Sequence, residues 1–444
     1  MTETPQGPGL PAPSTHSSDK RGSPRGEKSR KLKIRPQGES GRRGVHPWHF
    51  LRISFKSACR ASTLCSLLWP VVPAALAVRY TLTDHHVLVF ILLYIAMVPC
   101  ASLVGFASQE FARKLPHVAG VLVETTCGSV VEIVLFLVFL NSDHPNNFYI
   151  IKAAILGSIL ATMLLCLGFV FFVGGLMRDE QSFSDAISEA GSGLLLMAGV
   201  VLAVPTIFRK GLLSEGISEE KLQAGTLHIS RMISIFLIVA YLVYTFFQAR
   251  THHGIYDAIF EGDEHQQGGK RRPAAKDMLT MTECVIALAI SITLVTFLAI
   301  GLVDQIEPVI KNSHLSDAFM GLILVPLVEK FAEHLTAIDE ARNNRMNFAL
   351  SHVLGATLQT ALFTAPLTVL VGWGLHKPMD LDFEIFNIVM LILSILTVGK
   401  VLQDQKSNYL EGALLLILYL SIAVSAFHYP FTGIHGGETG GETH

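Results

Sequence analysis

Apolar stretches about as long as a bilayer is thick recur along almost the whole of this chain. Read with a window of about 19 residues, they fall near 61–79, 85–106, 117–140, 149–176, 191–208, 230–248, 279–302, 317–338, 348–373, 384–402 and 409–428. Crossing the hydrocarbon core takes about 20 mostly apolar residues. Backbone polar groups inside lipid have to be satisfied within the segment, which leaves helices for runs of this length. The sequence therefore predicts an all-α polytopic membrane protein of about eleven transmembrane helices. Composition agrees, with 50% hydrophobic and only 16% charged residues, against about 25% charged in soluble domains.

The remaining charge is unevenly placed, so the formal net charge of -2 says little. Residues 1–60 are rich in Pro, Gly and Ser and strongly basic, as in KRGSPRGEKSRKLKIRP. They lack the apolar core of a signal peptide and read as a disordered tail that holds the N-terminus in the cytosol. Contact with anionic lipid is a sharper alternative. Residues 61–84 then supply an extra N-terminal span and its loop, and the loops alternate from there. The longest, 249–278, falls on the cytosolic side, and an odd number of spans sends the tail 429–444 into an organelle lumen. Arg113, Lys114, Arg342 and Arg345 lie in loops predicted cytosolic. Arg209, Lys210 and Lys221 run against the rule but share their loop with Glu215, Glu219 and Glu220. Six cysteines lie in or beside apolar runs without CxxC spacing, which fits packing residues better than a disulfide or zinc framework.

The long loop divides the chain into halves that echo each other, 85–248 and 279–428. The third span carries CGSVVEIVLF and the eighth VEKFAEHLTA, each with a glutamate deep in the helix. The spans that follow open alike, GSILATMLLCLGFVFFVGG (157–175) and GATLQTALFTAPLTVLVGW (355–373). Spans five apart cross the membrane in opposite directions. Similar segments of opposite orientation are the sequence sign of an inverted-repeat transporter, whose substrate site lies near the midplane between repeats. One N-terminal span plus two inverted five-helix repeats is the predicted arrangement.

A carboxylate at mid-membrane costs at least about 2.5 kcal/mol, so it should face a cavity or a partner. Two of them facing each other could hold a hard cation such as Ca²⁺ through oxygen ligands, and protons would compete for the same oxygens. A site of this kind can load a cation on one side and release it where protons are abundant. Glu132 and Glu333 are the candidate pair; the plainer alternative is that each is a protonated or hydrogen-bonded helix residue. Supporting oxygens are available from Ser129, Ser158, Thr162, Thr357 and Gln359, for each of which helix packing is the competing role. His334 could relay protons or simply orient its neighbour. No HExxH and no Ser-His-Asp or paired-Asp arrangement is present, so hydrolysis has no carrier.

At these residues the sequence resembles the calcium/proton exchanger (CAX) family of the cation/calcium exchanger superfamily, its fungal vacuolar members in particular. The similarity runs from about residue 60 to 428. It rests on LVETTCGSVVEI (122–133), LILVPLVEKFAEHLTA (322–337), FASQEFARKL, GSILATMLLCLG, APLTVLVGW and LQDQKSNYLEGALLL (402–416). The resemblance implies eleven helices and exchange of lumenal H⁺ for cytosolic Ca²⁺ or related cations across a vacuolar or other endomembrane. It carries the two ion-binding glutamates onto Glu132 and Glu333; Gly128, Ser129, Ser158 and Gln359 are the further candidate cation-binding residues. It implies no resident cofactor and no nucleic-acid partner: cations, protons and the lipid bilayer are the partners, with a homo-oligomer possible.

The departures from the family pattern are local. Ser129 replaces an asparagine after Gly128, and Glu124 replaces another upstream. In the second repeat the Gly-Asn pair becomes Glu329-Lys330. A paired-acid motif in span two is reduced to Gln109-Glu110, a span-seven acid becomes Ile300, and a serine-asparagine pair in span four becomes Ala161-Thr162. Glu110, Glu124, Glu329, Lys330 and His334 are thus candidates for a proton path or for electrostatic tuning. Lys330 lies three residues before Glu333, about 5–6 Å away at the Cβ atoms. Its ammonium could be a built-in counter-cation that weakens divalent binding, could point away, or could be held neutral by burial. Exchange of Na⁺, K⁺ or Mn²⁺, or a non-transporting regulatory role, are the rival readings these departures motivate.

Overall fold

The computed structural model describes residues 45–429 apart from 57–62, 64, 83, 143–145, 214–215, 253, 255–258, 260–278 and 314. Residues 1–44, most of the expected linker 249–278 and the tail from 430 lie outside the described residues. The described chain is mostly helical. Among the described residues, eight helices are long and apolar enough to cross a membrane. In chain order the elements are α1 (Pro47–Lys56), α2 (Val71–Thr81), α3 (His86–Ala112), α4 (His117–Gly128) and α5 (Val130–Asn141). There follow α6 (Asn147–Met177), α7 (Asp185–Leu213), α8 (Glu219–Thr251), α9 (Met281–Ser313) and α10 (317–342). The last three are α11 (Met346–Gly374), α12 (Ile385–Asp404) and α13 (Tyr409–Phe427). Two-residue strands β1 (Gln181–Ser182) and β2 (Lys406–Ser407) pair antiparallel and tie the end of α6 to the start of α13.

Three of the eleven expected spans are not long uninterrupted apolar helices. The run at 61–79 yields an 11-residue helix preceded by turns, because Pro70 and Pro73 deny it backbone donors and the residue before a proline avoids the helical region. The run at 117–140 divides at Ser129 (φ -85, ψ 2), after the Gly128-Ser129 pair. The run at 317–338 is helical throughout but carries too many charges to count as a simple span. The expected disordered tail to residue 60 also needs correcting, since α1 is formed. The backbone N–H of His46 donates to Glu283 Oε1 (3.0 Å), and Ile53 packs with Leu279 and Cys284 at the foot of α9.

Which helices are central follows from burial. In α6 and α11, 72% and 78% of the most apolar window is enclosed by protein, against 28% in α13. The opening residues of α6 and α11 resemble each other, and both helices loosen into a π-helical segment at the same place, Ala161–Cys166 and Thr360–Thr364. A further π segment, Met320–Leu324, lies near the start of α10, and another, Phe247–Thr251, ends α8. Pro326 and Pro366 explain two of these. Each leaves the carbonyl four residues back, Leu322 or Leu362, without its helical donor, and a wider turn absorbs the defect.

The Leu322 carbonyl faces Gly157 of α6, where an added Cβ would stand 2.1 Å from the oxygen. This glycine lets α6 lie directly against α10, below the glutamates. Gly355 holds the matching place in α11 and has nothing within 4 Å. Gly157→Ala should therefore cost about 3 kcal/mol through forced separation of the helices. Gly355→Ala should be neutral or stabilise by up to about 1 kcal/mol through helix propensity. Thermal denaturation in detergent checks both, and equal behaviour of the two variants would remove this contact from the account.

Candidate functional site

The break at Ser129 places Glu132 in the first turn of α5, where the unpaired N–H groups of a helix start favour a negative side chain. Glu132 is 1% exposed. Its Oε2 accepts a hydrogen bond from Thr360 Oγ1 in the π segment of α11 (3.2 Å) and lies 3.1 Å from Lys330 Nζ on α10. The same ammonium stands 3.5 Å from Glu333 Oε2, one turn further along its own helix. Lys330 is 2% exposed. The two candidate carboxylates are thus brought together, and what holds them together is a lysine. Lys330 therefore does not point away from the carboxylates.

At an effective dielectric of 20, unit charges 3.1 Å apart attract by about 5 kcal/mol. Taking each charge out of water costs several kcal/mol, so the pairing offsets burial rather than adding a large surplus. The surroundings are rich in oxygen atoms that lack donors. Ser129 Oγ, Ser158 Oγ, Glu132 Oε1 and both carboxylate oxygens of Glu329 are buried with no hydrogen-bond partner. Glu329 lies beside Glu132, Lys330 and Ser158. A methyl group on Gly128 would touch Glu333 Oε1 (3.5 Å) and Gln359 Oε1 (4.0 Å), so both of these residues reach the helix break.

Glu333 keeps a side-chain exposure of 20% because it faces a cavity of about 50 Å³, room for roughly three waters. Gly105 and Gln109 of α3, Gly128, Glu329, Glu333 and Thr336 line it, with His352 of α11. It extends from Glu333 toward the end of the bundle that carries Arg113, Arg342 and Arg345. At the opposite end a second cavity of about 340 Å³ is bounded by ion pairs between the two halves of the chain. Lys152 of α6 meets Asp380 (2.5 Å), and Arg209 of α7 meets Asp382.

Several expected residues stand elsewhere. Glu110 is paired with Arg113 (2.8 Å), and Lys114 and Glu283 stand with it around Cys284. It faces that cluster, while Gln109, its neighbour on α3, takes the cavity side. Glu124 is exposed on α4, with His352 and Arg113 as charged neighbours. His334 points away from the cavity toward α6, its Nε2 3.4 Å from Thr162 Oγ1, since it lies about 100° around the helix from Glu333. Thr357 Oγ1 donates to Val353 O of its own helix (2.7 Å). Sequence reasoning missed His352 and Thr360, and it noted Gln109 only as the place of a lost family acid. Thr360 had a signal, as the counterpart in α11 of Thr162 in α6. Among the described residues no three His, Cys, Asp or Glu side chains converge as a metal site; the cation the two glutamates hold is the ammonium.

Oxygen-bearing side chains from both halves, a helix start beneath one carboxylate and a water-sized cavity beside the other make a site that can trade one cation for another. Similarity to known proteins identifies the family. The profile of the family described as sodium/calcium exchanger protein matches residues 85–250 and 284–427. A Ca(2+)/H(+) antiporter of Aphanothece halophytica is 33% identical over 351 residues, covering 78% of this chain and 91% of that protein. Vacuolar cation/proton exchanger 3 of Oryza sativa subsp. japonica is 31% identical over 391 residues, covering 86% and 91%. The solved structure of native YfkE superposes with a TM-score of 0.66 at 26% identity, covering 81% of this chain and 99% of that one. The chain belongs to the sodium/calcium exchanger family, among its cation/proton exchangers.

Proposed function

We propose that this protein is a secondary active antiporter of a vacuolar or related endomembrane that exchanges lumenal H⁺ for cytosolic Ca²⁺. The observation that carries the reading is the meeting of Glu132 and Glu333 on one buried cation, 3.1 and 3.5 Å from Lys330 Nζ. Two inverted repeats of five helices after an extra N-terminal helix are the frame. Their support is the matched π segments of α6 and α11 and the threonines within them, Thr360 reaching Glu132 and Thr162 reaching His334. With the N-terminus cytosolic, the cavity beside Glu333 opens toward the cytosol. The Lys152–Asp380 and Arg209–Asp382 pairs then hold the lumenal end closed. Cation entering from the cytosol meets Glu333 first and Glu132 behind it. Rocking of one half against the other breaks the lumenal pairs, and lumenal protons neutralise the carboxylates and release the cation. Loading requires Lys330 to give way.

Proteoliposomes with an acidic interior should accumulate ⁴⁵Ca²⁺, the accumulation should vanish with a protonophore, and it should not need ATP. Accumulation of Na⁺, K⁺ or Mn²⁺ with none of Ca²⁺ would keep the antiporter and change its cargo. Movement of no cation under a proton gradient would refute the reading.

A further inference from the structure

We propose that Lys330 is a tethered cation that fills the exchange site when no cargo is present, and that Glu329 is the berth its ammonium moves to when cargo enters. The proposal deepens the exchanger reading and rests on it. A cation cannot sit between Glu132 and Glu333 while an ammonium lies 3.1 and 3.5 Å from them. The ammonium cannot leave for water either, since Lys330 is 2% exposed. It needs a buried acceptor close by.

Glu329 is that acceptor. The residue is 4% exposed, its carboxylate accepts no protein hydrogen bond of ordinary geometry, and it borders the cavity beside Glu333 with the Ser158 hydroxyl as neighbour. A buried carboxylate short of protein donors is costly, and an arriving ammonium would supply it with a charged partner. Neighbouring residues on a helix point about 100° apart, yet both heads converge on Glu132, which is a charged neighbour of Glu329 and of Lys330 alike. Rotation about the four-carbon lysine stem carries the ammonium from one carboxylate to the other without moving the helix. The neighbouring Ser158 hydroxyl, buried beside Glu329, can take part in either arrangement.

Charge counting supports the transfer. With all three carboxylates ionised, the one ammonium leaves the empty site with two formal negative charges, as two carboxylates alone would. A divalent ion between Glu132 and Glu333, with the ammonium on Glu329, brings the site to neutrality. Without Glu329 the loaded site would carry a net positive charge; without Lys330 the empty site would carry three negative charges and bind cations more tightly.

The test is equilibrium ⁴⁵Ca²⁺ binding to the purified full-length protein, read beside proton-driven uptake. Lys330→Met should lower Kd at least tenfold and Glu329→Gln should raise it at least tenfold. In the Lys330→Met background the Glu329→Gln effect should shrink to less than threefold, because the berth then has nothing to receive. Lys330→Asn repeats the first arm with a second side chain, should Lys330→Met fail to give monodisperse protein. An equal Glu329→Gln effect in both backgrounds would make Glu329 an ordinary ion ligand and overturn the proposal. So would unchanged or weakened binding in the lysine variants. If wild type neither binds nor moves calcium while Lys330→Met binds it, the tethered cation stands and the exchanger reading falls. If wild type shows Glu333-dependent uptake and Lys330→Met leaves Kd unchanged, the proposal alone falls.

Discussion

Glu333→Gln should lower proton-driven calcium uptake at least a hundredfold while leaving the protein nearly as stable as wild type. The two halves of that expectation have different causes. Glutamine has the same shape but carries no charge and offers one acceptor oxygen in place of two, so a hard cation loses both attraction and coordination. A loss of about 3 kcal/mol in cation binding already exceeds a hundredfold in affinity. Stability is spared because Glu333 borders the cavity, with 20% of its side chain exposed, and its 3.5 Å approach to Lys330 is the longer of the two. Uptake by reconstituted variant, normalised to monodisperse protein, is the measurement. Uptake above a tenth of the wild-type rate would place the exchange site elsewhere.

How far the site was legible in the sequence depends on what each residue had to reveal. Glu132 and Glu333 announced themselves, because a carboxylate inside an apolar helix is costly wherever it points, and the cost calls for a partner. Eight of the eleven expected helix positions followed from apolar run length alone, and the split at Ser129 had its signal in the Gly-Ser pair beside the first glutamate. What could not be read was direction. Glu110 and Gln109 are adjacent on α3, yet Gln109 lines the cavity while Glu110 binds Arg113. Their choice is made by the packing of α3 against α9 and α10, not by their own segment. For the same reason His334, beside the key glutamate, faces away, and His352, in an unremarked stretch of α11, faces in. The position of Lys330 was undecidable from its segment too, because the partner that fixes it, Glu132, comes from a helix almost two hundred residues away.

Glu132→Gln should give the opposite balance from Glu333→Gln, losing stability as well as transport. Glu132 is 1% exposed, makes the closer contact with the lysine and accepts from Thr360. Neutralising it removes the nearest counter-charge of an ammonium enclosed in the protein. Removing one partner of a buried pair costs about 3–5 kcal/mol, and the low end is expected here because Glu329 and Glu333 remain within reach of Lys330. Glutamine can still accept the Thr360 hydroxyl, so the loss measures charge rather than hydrogen bonding. Adding Lys330→Met to Glu132→Gln should recover most of the stability, since the unpaired charge is then gone, but should restore no transport, since only one of the two glutamates that meet across the halves remains. Thermal denaturation in detergent follows the first effect and vesicle uptake the second. If Glu132→Gln denatures at the wild-type temperature, the lysine has no net hold on Glu132. If the double variant stays as unstable as the single one, the cost lies in the break between α4 and α5 and not in the ion pair. Recovery of stability without recovery of transport is the result that separates what the lysine does for the fold from what the glutamates do for the ion.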